Sequence, residues 1–287
     1  MNFIERGQGT PIVFIPGLQG RWEYTRVTVE ALAKHFRVVT FSLGDEPAAG
    51  FSFDAARGFD SYADQVLGVL DSTATTNTVV CGVSFGGLVA LRFAARHPER
   101  VSALVLASTP GPGWHLRPRH DVYARWPLIF GPLFAVEVPF RARAELVAAL
   151  PDASERRAFS ASILKTVASA PISFRRMAQR ARMIATYDTT CDAARISAPT
   201  LVLTGEATLD HVVDVEGSSR YEQLIPGATH VVLSRTGHQG TLTRPDLFAD
   251  EVSKFLNGSG RSRGSDGPDG ARGFSRALDS AESGRVA

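Results

Sequence analysis

Short apolar runs alternate with longer amphipathic stretches through residues 1–109. Ile12-Val13-Phe14-Ile15 is a β-rich run closed by Pro16-Gly17, and Arg37 to Phe41 is a second. Thr78-Val79-Val80-Cys81 is a third and Val101 to Ala107 a fourth. Nearly continuous apolar strands suit a mostly parallel sheet covered on both faces. Between them, Tyr24 to Lys34 sets Val27, Ala31 and Leu32 at helical spacing. Tyr62 to Leu70 does the same with Val66, Leu67 and Leu70. Phe85 to Arg96 turns Leu88, Leu91 and Ala95 inward, keeps Arg92 and Arg96 on another side, and meets a stop at Pro98. Strand–helix alternation of this kind predicts βαβ units with right-handed crossovers, and so an α/β fold.

The rhythm breaks after Ser108. Residues 110–197 are rich in Pro, aromatics and Arg, with helical stretches at Glu145 to Ala149 and Phe159 to Ala168. Strand patterns return at Thr200 to Leu203 and His230 to Leu233, and an amphipathic helix follows over Pro245 to Leu256. An independent second domain would also interrupt the pattern, but the resumption of strands favours a helical cap inserted into one core. The expected organisation is a core of residues 1–109 and 198–257, a cap of 110–197, and a tail of 258–287. That tail is Gly-, Ser-, Arg- and Asp-rich and too poor in apolar residues to offset its ordering entropy. It is expected to be disordered, with a transient helix near Phe274 to Leu278.

Composition alters little. The chain is 44% hydrophobic and 21% charged, an ordinary globular balance. A formal charge of +2 gives no case for nucleic acid or an anionic membrane. Two cysteines, Cys81 and Cys191, make no disulfide framework, and Cys81 reads as a small core residue. The start, Met1 to Arg6, lacks the form of a signal peptide, and the apolar patch Trp126 to Val136 is too short for a bilayer. A soluble cytoplasmic protein is expected. His and Cys show no zinc-ligand spacing, so no metal is expected.

The chemistry concentrates at Gly82-Val83-Ser84-Phe85-Gly86-Gly87, which follows a strand and opens a helix. Gly-x-Ser-x-Gly in that setting is a nucleophile elbow: a sharp turn that presents the serine hydroxyl near a helix N-terminus. A phosphate loop fits worse, because no Gly-Lys-Ser/Thr ending is present and the glycine spacing differs.

A serine hydroxyl needs a base, and the base needs an orienting acid. His238, in Thr236-Gly237-His238-Gln239-Gly240, lies in a loop at the carboxyl end of the last strand. His35 and His97 sit at helix ends, His115 and His120 in the insertion, His211 at a helix start and His230 in a strand. Three carboxylates follow the preceding strand: Glu206, Asp210 and Asp214. Asp210 is preferred because Val212 and Val213 anchor its loop. Asp214 comes next, with a helix N-cap as its competing role. Leu18 and Phe85 are the expected backbone N–H donors of an oxyanion hole.

Trp114, Trp126, Phe130 and Phe134 are candidates for an apolar pocket, or for packing cap onto core. Arg141, Arg143, Arg175, Arg176, Arg180 and Arg182 suit either an anionic substrate or a solvated face.

Taken together, Pro16 to Gly20, Gly82 to Gly87, Leu203-Thr204-Gly205-Glu206 leading to Asp210, and Gly237-His238 resemble the α/β-hydrolase superfamily in its capped form. The resemblance spans residues 1–257. Two departures stand out. Pro16 replaces a His common in the oxyanion loop, which removes a bracing side chain. The usual acid position falls on Thr208, so Asp210 requires a loop two residues longer.

The resemblance implies a cofactor-free serine hydrolase of small or medium carboxylic esters, working through an acyl-enzyme on Ser84. Lactone or carbon–carbon bond hydrolysis by the same triad is the alternative. So is a non-catalytic ligand-binding protein on the same scaffold. The partner expected is a small-molecule ester or acyl substrate, without nucleic acid or membrane.

Overall fold

The apolar runs become strands because each has two faces to bury. Alternate residues of a strand point to opposite sides. Val13 and Ile15 enter one core and Ile12 and Phe14 the other. Val80 faces the first and Cys81 the second, while Leu104 and Leu106 oppose Ala103 and Val105. A run that looks continuously apolar is thus a period-2 strand lying between two cores.

A computed structural model describes residues 1–263. Seven strands form one sheet: β1 (Ile4–Arg6), β2 (Pro11–Ile15), β3 (Arg37–Thr40), β4 (Thr78–Val83), β5 (Val101–Ala107), β6 (Thr200–Thr204) and β7 (Thr229–Val232). Their order is β1-β3-β2-β4-β5-β6-β7. Only β1 is antiparallel, pairing with β3 through Ile4↔Thr40. Sequence reading did not anticipate β1, because three largely exposed residues carry no strand pattern.

Helices α1 (Arg26–Leu32), α2 (Phe59–Ser72) and α3 (Phe85–Arg96) connect the early strands. Six more lie between β5 and β6: α4 (Pro118–Arg125), α5 (Pro127–Arg141), α6 (Arg143–Ala149), α7 (Ala153–Ser169), α8 (Phe174–Ala185) and α9 (Thr189–Ala193). Four follow β6: α10 (Val215–Ser219), α11 (Tyr221–Leu224), α12 (Gly240–Thr243) and α13 (Pro245–Arg263). α2 and α3 cover one sheet face, and α1 with α13 covers the other. Each fully buried Leu, Ile, Val or Phe in these layers contributes roughly 1.5–3 kcal/mol.

In the segment between β5 and β6, α4, α5 and α8 pack together, and α6 reaches α12. Its last part is continuous with the main core, since Ala193 and Ile196 join the cluster built by α2 and α3.

α13 runs past its expected stop at Leu256 to Arg263, so the first residues assigned to a disordered tail are helical. Once a helix is nucleated, each further residue adds one hydrogen bond, which carries it through Gly258. The rest of the expected tail, residues 264–287, with its transient helix near Phe274 to Leu278, lies outside the described residues. No described helix is long and apolar enough to cross a membrane.

Candidate active site

The strand order turns between β2 and β4, because β3 returns to the far side of β2 before the chain crosses to β4. Connections leaving the carboxyl ends of strands at such a point diverge and leave a crevice. β2 runs directly into Pro16-Gly17-Leu18, and β4 runs directly into Ser84. Ile15 pairs with Gly82, so both loops leave the sheet at the same level.

Ser84 sits between β4 and α3 at φ 54° and ψ −119°, a conformation that costs a non-glycine residue about 1–3 kcal/mol. The turn is pinned by Ser84 N–H donating to the Ala107 carbonyl at 2.8 Å and Gly87 N–H to the Ser84 carbonyl at 2.9 Å. Glycine is required at position 82, where a Cβ would stand 2.2 Å from the Gly86 carbonyl oxygen. The bend therefore closes only with no side chain at 82.

His238 lies in the loop between β7 and α12, with its Nε2 3.1 Å from Ser84 Oγ. Behind the ring, Asp210 Oδ2 lies 3.4 Å from His238 Nδ1. That contact is slack for a hydrogen bond, yet both atoms are buried and neither bonds elsewhere in the protein. Catalytic hydrogen bonds commonly tighten once substrate is bound. The other carboxylate oxygen, Oδ1, accepts N–H groups from Val212 at 2.9 Å and Val213 at 3.0 Å. Burial alone would raise the Asp210 pKa. The close approach and charge of His238, with the two backbone donors, outweigh it and hold the carboxyl below its usual range.

The competing acids are occupied differently. Asp214 is exposed and caps α10, accepting the Gly217 N–H at 3.1 Å. Glu206 accepts the Arg235 N–H at 2.6 Å. The added length before Asp210 is one tight turn, in which Leu209 and Asp210 N–H both donate to the Glu206 carbonyl.

Phe85 opens α3, where first-turn N–H groups have no intrahelical acceptor. Leu18 lies in a turn closed by Gly20 N–H on the Gly17 carbonyl at 2.9 Å. The loop's brace comes from the segment between β5 and β6. Arg180 of α8 donates from Nη1 to the Leu18 carbonyl at 2.8 Å, and from Nη2 to Asp45 at 2.7 Å and Glu46 at 2.6 Å. Arg180 is 0% exposed, which corrects its reading as part of a solvated face. Two carboxylates neutralise it, and a buried cation needs such partners. Gly20, at φ +77°, leaves no room for a side chain either: its Cβ would lie 2.2 Å from Arg180 Nη1.

A cavity of about 180 Å³ opens beside His238 under α4, α5, α6 and α8. Trp114 and Phe134 line it, whereas Trp126 and Phe130 do not. The expectation for Trp126 and Phe130 is therefore corrected. α5 runs unbroken to Arg141, and its cavity face is Pro127, Gly131, Phe134, Val138 and Arg141. Helical spacing turns Phe130 aside, to stack on Tyr123 at 5.4 Å, and Trp126 is 60% exposed.

Sequence reading missed Glu145 of α6, one acid in a short helix with nothing to mark its face. It is buried, lines the cavity, and accepts the Gln239 N–H at 2.7 Å. Burial pushes its pKa up to about 7 against the opposing effect of the Gly237 and Gln239 N–H groups and His238.

Residues 10–245 match the family model described as alpha/beta hydrolase fold, and the chain belongs to that family. It is 26% identical over 262 residues to a pimeloyl-[acyl-carrier protein] methyl ester esterase of Aliivibrio fischeri (strain ES114), covering 88% of this chain and 95% of the relative. A 2-hydroxymuconate semialdehyde hydrolase of Pseudomonas sp. (strain CF600) is 36% identical over 119 residues. That match spans 38% of this chain and 40% of the relative. Among solved structures, the enol-lactonase from Burkholderia xenovorans LB400 superposes with a TM-score of 0.70 at 23% identity, covering 89% of this chain and 96% of that one. At that identity the likeness speaks for the fold.

Proposed function

We propose that this chain hydrolyses small carboxylic esters, with Ser84 as nucleophile, His238 as general base and Asp210 as the orienting acid. The observation that carries the reading is the 3.1 Å approach of His238 Nε2 to Ser84 Oγ, with a buried carboxylate on the far side of the ring. Family membership and the Aliivibrio relative named as a methyl ester esterase support it.

In the first step Ser84 Oγ bonds to the ester carbonyl carbon while its proton passes to His238 Nε2. Charge moves to the carbonyl oxygen, and the N–H groups of Leu18 and Phe85 are the donors that would meet it. The carbon–alkoxy bond then breaks, and the leaving oxygen takes the proton from Nε2. Water bonds to the acyl carbon, giving its proton to Nε2; the bond from that carbon to Ser84 Oγ then breaks, and Oγ takes the proton back from Nε2. The products are an acid and an alcohol. A lactone carries the same bond within a ring and follows the same steps.

Labelling by a serine-directed fluorophosphonate tests the reading, together with turnover of short p-nitrophenyl esters. Wild type labels and turns over, and Ser84→Ala does neither. A folded wild-type chain that is neither labelled nor active would make it a ligand-binding protein on a hydrolase scaffold.

A further inference from the structure

The cavity beside His238 is apolar along most of its wall, from Trp114 and Leu116 to Phe134, Phe174 and Met177. At one place it is cationic. Arg141 closes the cavity face of α5, with His120 and His211 beside it in the lining. Its guanidinium meets only neutral acceptors. Nη1 lies 2.8 Å from His120 Nε2, and Nη2 donates to the His211 carbonyl at 3.0 Å.

The nearby acids make their hydrogen bonds elsewhere, those of Glu137 through Oε1 alone. Glu137, one turn earlier, pairs with Arg119 and accepts from Tyr123 Oη at 3.1 Å. Glu145, four residues later, is turned to the Gln239 N–H. Among the described residues, no carboxylate stands within salt-bridge reach of Arg141. This contrasts with Arg180, which holds two.

Burial lowers the Arg141 pKa, Arg117 and Arg119 add to the effect, and the more distant charge of Glu137 opposes it. Burial and then Arg141 lower that of His120, against the opposing effect of Glu137. An arginine keeps its charge throughout, and a guanidinium has further N–H donors in a fork that matches a carboxylate. Arg141 is half-buried and no carboxylate hydrogen-bonds to it, so an anionic group on the ligand would gain a charged hydrogen bond at this point of the cavity wall.

We propose that Arg141 forms a subsite for a carboxylate carried by the substrate away from its scissile bond. The favoured substrates are then anionic esters with an apolar middle, such as half-esters of dicarboxylic acids. The inference rests on the hydrolase reading for its chemistry, but its binding part can be tested alone.

The experiment compares monoethyl adipate with ethyl hexanoate, esters of equal acyl length that differ in one carboxylate. For wild type, kcat/KM favours the half-ester, and the preference shrinks at high salt. Arg141→Gln lowers the ratio of the two kcat/KM values about 30-fold, in the range of a charged hydrogen bond, and Arg141→Lys restores part of it. Calorimetry on Ser84→Ala, with and without Arg141→Gln, reads the same preference without turnover. An unchanged ratio in Arg141→Gln, or equal binding of both esters to Ser84→Ala, overturns the subsite. Failure of wild type to hydrolyse either ester overturns the hydrolase reading instead, and the binding comparison still decides the subsite.

Discussion

Arg180 Nη1 donates to the carbonyl oxygen of Leu18 at 2.8 Å, joining residues 162 positions apart. One end of that contact is a helix of the segment between β5 and β6, and the other is the loop that faces Ser84. A guanidinium from elsewhere in the chain thus holds the loop that carries Leu18, the proposed oxyanion donor.

Replacing Arg180 should therefore reach the chemistry. Arg180→Lys keeps the charge but loses the fork. It is expected to lower kcat about 10²-fold with KM nearly unchanged, the scale of a displaced oxyanion donor. Arg180→Ala takes the guanidinium from Asp45 and leaves Glu46 with Arg176 alone, and should cost about 3–5 kcal/mol in urea unfolding. Gly20→Ala, which places a methyl against the guanidinium, should show the same kcat loss. Steady-state kinetics that move KM alone would contradict this account.

The acid can be assigned by two conservative substitutions. Asp210→Asn removes the carboxylate behind His238 and should reduce kcat about 10⁴-fold, as expected when the ring loses its orienting charge. Asp214→Asn keeps a good N-cap on α10 and should leave turnover of a p-nitrophenyl ester within about twofold. The reverse pattern would move the acid to Asp214.

Glu145 gives the fold an unusual pH dependence. Its pKa is raised from 4.5 to about 7 in the folded chain, so the folded state binds more protons than the unfolded one between those values. Stability contributed by the protonated carboxyl is fully present below 4.5 and is lost as pH rises through about 7. The shift corresponds to roughly 3 kcal/mol. Glu145→Gln keeps an acceptor for the Gln239 N–H and cannot ionise. Urea unfolding from pH 4.5 to 8 should show wild type falling relative to Glu145→Gln by about that amount. Parallel curves would refute the assignment.

Two aromatic residues in one helical region should behave in opposite ways. Phe134 lines the cavity, so Phe134→Ala should raise KM for an apolar ester about 5- to 150-fold, the equivalent of about 1–3 kcal/mol of lost contact. Trp126 is exposed, and Trp126→Ala should leave kcat/KM unchanged within about twofold and stability within about 0.5 kcal/mol. Equal KM effects would mean that the cavity wall is drawn wrongly.

What the linear chain determined is local. The strand runs, the glycines around Ser84 and the place of His238 after the last strand act over a few residues, through turn sterics and period-2 burial, and they show in the residue order. An edge strand as short as Ile4–Arg6 does not show, because its pairing comes from β3 and not from its own pattern. What only tertiary structure decided is which distant groups meet. Ser84 and His238 are 154 positions apart, Glu145 and Gln239 are 94 apart, and Arg180 reaches Leu18 and Glu46 from another helix. Whether an arginine is a solvated surface charge or a buried brace depends on the carboxylates packed against it. That is a property of the folded interior, and helical spacing carries no record of it.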